Sequence, residues 1–131
     1  MVIDSSAIIA ILLAESEAET FADAIASDHV RVCPAVSFLE ASIVIETRRG
    51  DAGLTRLDLL VAEAKIEIAP FSLRDARVAR RVYRQFRKGI HPAGLNFGDC
   101  VSYALALETG EPLLSKGDDF GKPGIASALD T

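Results

Sequence analysis

The chain has 131 residues, 50% of them hydrophobic and 25% charged, with a net charge of −5. That length suits one folding unit spanning 1–131 and is short for two cores, and the balance of apolar and charged residues excludes a disordered chain. The longest apolar run, Ala7–Ala14, has 8 residues against the about 20 that cross a bilayer; Asp4 stands where a signal peptide carries positive charge, so a cytoplasmic protein with no membrane association is expected.

MVID reads as a short buried strand, and from Ser5 to Leu13 the pattern turns helical with Ser5 or Ser6 as the expected cap. SEAETFADAIAS follows as an acidic amphipathic helix, then VRVCP as a second strand closed by Pro34. A third helix is expected from Ala35 to Arg49, stopped by Gly50, with Phe38, Leu39, Ile43, Val44 and Ile45 burying it on most sides. TRLDLLVAEAK is a fourth helix and IEIAP a third strand.

SLRDARVARRVYRQFRK reads as a fifth helix, capped by its serine, with Ala79, Val82, Tyr83 and Phe86 as its inner side. It holds 7 of the 14 basic residues between Arg74 and Lys88. The loop GIHPAGL places His91 toward solvent, as another loop does His29. NFGDCVSYALALETG forms a sixth helix ending at Gly110, and PLLS a last clear strand before KGDDFGKPG, with a further short strand near Ile125. Strands and helices alternate with no hairpin signal, so the fold class is α/β, a parallel sheet covered by helices on both faces. Cys33 and Cys100 have no metal or redox spacing and read as reduced core residues.

In such a sheet, chemistry gathers beyond the carboxyl ends of the strands. Asp4 and the SKGDDF loop, with Asp118 and Asp119, follow strand ends, and Asp99 lies in the first turn of the sixth helix. Each acid has a plainer reading as well. Asp4 could cap the first helix, Asp99 could complete a capping box with Asn96, Glu40 could sit on a polar stripe with Ser37, and Asp118–Asp119 could be a polar turn. Together, however, these carboxylates would repel one another unless a cation joined them. All are hard oxygen donors without His or Cys, a set that favours Mg²⁺ or Mn²⁺ over zinc.

MVIDSSAIIAILL, the glutamate of FLEAS, NFGDC and LLSKGDDF, with intervals of 36, 59 and 19 residues between Asp4, Glu40, Asp99 and Asp118, resemble the PIN domain and, within it, the VapC-type toxins of bacterial toxin–antitoxin pairs. The resemblance implies a single PIN domain over 1–131, an α/β/α sandwich with a central, mainly parallel sheet. It also implies a Mg²⁺-dependent endoribonuclease, with Mn²⁺ as substitute. Asp4, Glu40 and Asp99 would hold the first ion, with Asp118 or Asp119 bearing on a second ion or on the attacking water.

Ser6, Asn96 and Ser115 are candidates for orienting ligands or contacting phosphate, and Arg80, Arg84, Arg87 and Lys88 for the RNA backbone. A homodimer and a VapB-type antitoxin are implied too. Two departures stand out: Ser115 is followed by Lys116 and Gly117 where many members have Ser- or Thr-x-Asp, and Gly124 stands where relatives often carry an Asp. Two other functions share the pattern, a non-catalytic PIN-like module for dimerisation or antitoxin binding and a flap-type DNA nuclease. A haloacid-dehalogenase phosphatase is excluded because its second Asp would fall at Ser6, and a receiver domain because IEIAP ends in no acid.

Overall fold

The computed structural model describes residues 1–117 and 124–129. Its elements run β1 (Val2–Ile3), α1 (Ser5–Leu12), α2 (Ala18–Ser27), β2 (Val32–Pro34), α3 (Ala35–Glu63), β3 (Glu67–Ala69), α4 (Leu73–Phe86), α5 (Phe97–Thr109) and β4 (Leu113–Leu114). The sheet is four-stranded with order β3-β2-β1-β4, and every pair is parallel.

Alternation along the strands decides which layer each side chain joins. Met1, Ile3, Cys33 and Leu114 pack with α1, α2 and α3, whereas Val2 and Leu113 meet Ala106 of α5. A second apolar cluster, with Ala79, Val82, Leu95, Tyr103 and Ala104, joins α4 to α5. The expected sandwich of helix, sheet and helix is therefore the architecture observed.

The connections step outward from β1 to β2 to β3, and the chain then returns to place β4 on the far side of β1. The strand order thus reverses between β1 and β4, and the cleft at their carboxyl ends is where ligands bind in open α/β sheets. Asp4 follows β1, its N–H donating to Leu114 O at 2.9 Å, and Ser115 follows β4. At the amino end of β1, opposite the cleft, the Met1 ammonium is paired with Asp28 at 2.8 Å and Glu111 at 3.0 Å.

Several local expectations are corrected. Asp4, not Ser5 or Ser6, caps α1, because its side chain accepts the Ser6 N–H. As expected, the helix that begins at Ala35 is broken at Gly50, whose φ 63° and ψ −154° are not helical and lie in a region open essentially to glycine alone; a second helical segment follows and runs to Glu63. Gly50→Ala should lower stability by about 1–3 kcal/mol, readable as a lower urea midpoint at unchanged slope, since no neighbouring atom blocks the new methyl.

The first half of α3 is not buried on most sides, for Leu39 and Ile43 are each 58% exposed. Tyr83 is exposed as well, because α4 turns only a narrow stripe, Ala79 and Val82, fully inward. Near Ile125 the described residues form isolated bridges rather than a strand, one of them joining Ser127 to Leu113. His91 is half-buried, its ring edge-on to Phe86 at 4.9 Å.

Candidate active site

The cleft is assembled by three segments with different local reasons for being there. The turn from β1 into α1 delivers Asp4, Ser5 and Ser6. Pro34 closes β2 and opens α3, whose first turns carry Ser37 and Glu40 on one face, three residues apart. Asn96 caps α5, which brings Gly98, Asp99 and Ser102.

Asp4 is 4% exposed and fully engaged. Oδ2 accepts from Ser6 N at 3.0 Å and Ser6 Oγ at 2.6 Å, and Oδ1 accepts from Ser102 Oγ at 2.5 Å. Ser102 spends its single proton on Asp4, so the 3.2 Å contact between Ser102 and Ser37 is one in which Ser37 donates. A buried hydroxyl chain therefore runs from α3 through α5 to the acid on β1. Ser6 Oγ also accepts the Lys116 N–H at 2.9 Å, which ties the segment after β4 to the same carboxylate.

Glu40 accepts a hydrogen bond from Ser5 Oγ on Oε1, and its carboxylate lies against the backbone of Gly98. A Cβ there would stand 2.7 Å from Oε2 and 2.9 Å from Oε1. Residue 98 is a glycine because a glutamate head occupies the space of its side chain. Gly98 precedes Asp99, so α5's first turn, Glu40 and Asp4 are neighbours at one end of the sheet.

Asp99 closes a reciprocal capping box. Its N–H donates to Asn96 Oδ1 at 2.9 Å, and its Oδ2 accepts the Asn96 N–H at 3.0 Å. The capping reading of Asp99 is therefore the one observed, and it fixes the carboxylate in the first turn of α5. Asn96 spends its side chain on this cap. Ser115, 4% exposed, lies directly beyond β4. Asp118 and Asp119 lie outside the described residues.

Neither Asp4 nor Glu40 has a basic partner among the described residues. Lys116 is drawn off to Glu15 at 3.1 Å and Glu17 at 3.5 Å, and the Glu15 hydrogen bond is the main reason its ammonium titrates above its usual range. Burial, reinforced by the Asp4 charge, pushes the Cys33 thiol up to about 12; burial and then Asp99 push Cys100 up to about 11. Neither thiol competes as a ligand at neutral pH.

Among the described residues no three His, Cys, Asp or Glu side chains converge as a ready metal cage; Glu40 is engaged by Ser5 and Asp99 by its cap. The donor set itself fits a hard divalent cation. Its acids are carboxylates, and two of them have only hydroxyl and amide donors to balance their charge.

The basic helix reaches this cleft through its end. Leu95, just before Asn96, bridges Arg87, with Leu95 N donating to Phe86 O at 2.9 Å and Lys88 N to Leu95 O at 3.2 Å. Arg84, Arg87 and Lys88 therefore sit beside the start of α5. Arg80 is farther back on α4 and lines a groove together with Phe97. Of the basic helix, only Arg74 is in an ion pair among the described residues, with Glu108 at 3.5 Å.

Sequence reasoning missed Ser102 and gave Ser5 only a capping role. Ser102 could have been found from its spacing, three residues after Asp99 on the same helical face.

The sequence matches the PIN domain family over residues 1–125. It is 50% identical over 131 residues to ribonuclease VapC28 of Mycobacterium tuberculosis, covering 99% of this chain and 98% of that one. It is 46% identical over 127 residues to a ribonuclease VapC of Mycolicibacterium smegmatis, covering 97% and 98%. Among solved structures, Mycobacterium tuberculosis VapC20, a toxin that cleaves the sarcin-ricin loop, superposes with a TM-score of 0.74 at 14% identity over 91% of each chain, a likeness of fold alone. An acid-lined cleft between β1 and β4, with near full-length identity of this order, places the chain in the PIN-domain family, among its VapC-type members.

Proposed function

We propose that the protein is the toxin of a type II toxin–antitoxin pair, an endoribonuclease that hydrolyses RNA phosphodiester bonds with a divalent metal, Mg²⁺ in the first instance and Mn²⁺ as substitute. One observation supports the reading: at the strand-order reversal Glu40 rests against Gly98 and Ser102 of α5 donates to Asp4, so the segments that carry the three acids are neighbours in a chain of this family.

Asp4, Glu40 and Asp99 would hold the ion, with Asp118 or Asp119 as the fourth acid. When bound, such an ion supplies Lewis acidity toward water and phosphate. Ser6 and Ser102 keep the Asp4 carboxylate in one orientation, and Ser5 does so for Glu40. Asn96 holds the turn that carries Asp99. Arg84, Arg87 and Lys88 attract the RNA backbone toward an otherwise acidic protein, and Arg80 and Ser115 extend that contact. A homodimer, a cognate VapB-type antitoxin and a cytoplasmic site of action complete the proposal; no helix among the described residues is long and apolar enough to cross a membrane.

A second reading, a PIN-like module that binds antitoxin without catalysis, draws on the hydrogen bonds that already engage Asp4, Glu40 and Asp99. One assay decides. End-labelled RNA should be cut with Mg²⁺ and left whole with EDTA, and added Mg²⁺ should restore cutting. RNA left intact in every lane would establish the binding module, and preferential cutting of single-stranded DNA the flap-type nuclease.

A further inference from the structure

Between α4 and α5 lies a groove of about 270 Å³ whose walls include Phe71, Ala79, Arg80, Tyr83, Phe97 and Cys100. Phe97 is 72% exposed and Tyr83 45% exposed. Neither the core nor the acidic cleft uses these rings, although exposing a large aromatic forfeits burial energy. Arg77 and Arg84, three residues before and four after Arg80, share its helical face. All three guanidinium groups lack an ion pair among the described residues. Among the described residues no acid lines the groove.

Aromatic walls beside unpaired arginines match a planar ring joined to an anion. An apolar peptide side chain would fill the space but leave the three cations without counter-charge. A second copy of this chain could stack its own rings here, but a two-fold contact would set the same three arginines against each other. A single-stranded nucleotide supplies both parts, a base with two stacking faces and a phosphate. The groove begins at Phe97, one residue before the Gly98–Asp99 turn, so an occupant lies next to the acidic cleft.

We propose that this groove is a nucleobase subsite. A base flanking the scissile phosphate stacks on Phe97 and Tyr83, and Arg80, with Arg77 and Arg84, holds the adjoining phosphates. The proposal rests on the ribonuclease reading for its placement beside the scissile bond, and its test separates the two.

The test measures anisotropy of a labelled single-stranded RNA, and its cleavage with Mg²⁺, for the wild type, Phe97→Leu and Arg80→Gln. The same oligonucleotide carrying abasic residues next to the cut site is measured in parallel. Leucine keeps apolar bulk at an exposed position, and circular dichroism checks the fold of each variant.

Phe97→Leu should raise Kd, and KM where cleavage occurs, about 10-fold. The abasic substrate should lose the same factor with wild type and almost nothing further with Phe97→Leu. Arg80→Gln should lower the slope of log Kd against log salt by about one.

Equal binding of intact and abasic RNA, or no effect of Phe97→Leu, would overturn the subsite even if cleavage is normal. So would a Phe97→Leu variant that binds RNA normally but loses self-association in sedimentation or affinity for an antitoxin peptide. Base-dependent binding that needs Phe97 without any cleavage would retain the subsite and remove the ribonuclease reading.

Discussion

Asp4→Asn is expected to reduce RNA cleavage by about 10²-fold or more, the scale on which removal of one preorganised electrostatic group acts, without lowering the melting temperature. The two halves of this result have separate causes. Asparagine keeps the shape of aspartate and one oxygen, which can still accept from Ser6 N and Ser6 Oγ, now 3.0 and 2.6 Å from Oδ2. The new amide would face Ser102, which today donates to Oδ1 at 2.5 Å.

A hydroxyl can reverse. Ser102 would accept from the amide and donate to Ser37, 3.2 Å away. The buried chain stays satisfied, and one negative charge leaves a group of acids without a basic partner for Asp4, which relieves a cost rather than adding one. A calorimetric titration should show weaker Mg²⁺ binding by the same variant. Normal cleavage by a folded Asp4→Asn protein would remove Asp4 from the chemistry and return it to the plainer role of helix cap.

Gly98→Ala should separate catalysis from folding even more sharply. The added methyl would meet Glu40 Oε2 at 2.7 Å and Oε1 at 2.9 Å, closer than such atoms can approach. What must yield is the end of a flexible side chain, so the fold loses little, and alanine in a helix regains about 0.5–1 kcal/mol over glycine. Glu40, however, must give up its place beside Ser5 and the Asp99 turn. Displacement of a catalytic group by about 1 Å can cost about 10² in rate, and kcat/KM should fall by about that much while urea unfolding shows equal or greater stability. Glu40→Gln provides the comparison. If Gly98→Ala were fully active, the observed position of Glu40 would have no part in the reaction.

The site was unevenly legible in the sequence. Asp4, Glu40 and Asp99 could be picked out because a carboxylate in an apolar setting or at a helix start is conspicuous in one dimension. Asn96 and Ser72 could be assigned as caps because capping boxes are local, three residues from one partner to the other, and both boxes form. Ser102 escaped notice because a serine on a small-residue helix is chemically quiet until its neighbour is known, and that neighbour is 98 residues away. Tyr83 and the pair Leu39 and Ile43 were read as inward for a related reason: helical period tells which residues share a face, not whether another element covers it.

What the sequence determined by itself was the alternation of short strands and helices, the caps of α4 and α5, the glycine at the α3 kink and the order of the acids, all consequences of interactions within a few residues. What only the tertiary structure decided was which end of which strands those acids share, that Glu40 rests on Gly98, that serines from three elements orient Asp4 and Glu40, and that Phe97 stays uncovered. These depend on the placement of β4 beside β1, a contact between chain segments more than a hundred residues apart. No local pattern encodes the packing of α3 and α5 around such a contact, because it follows from the sum of apolar surfaces that the whole chain must bury at once.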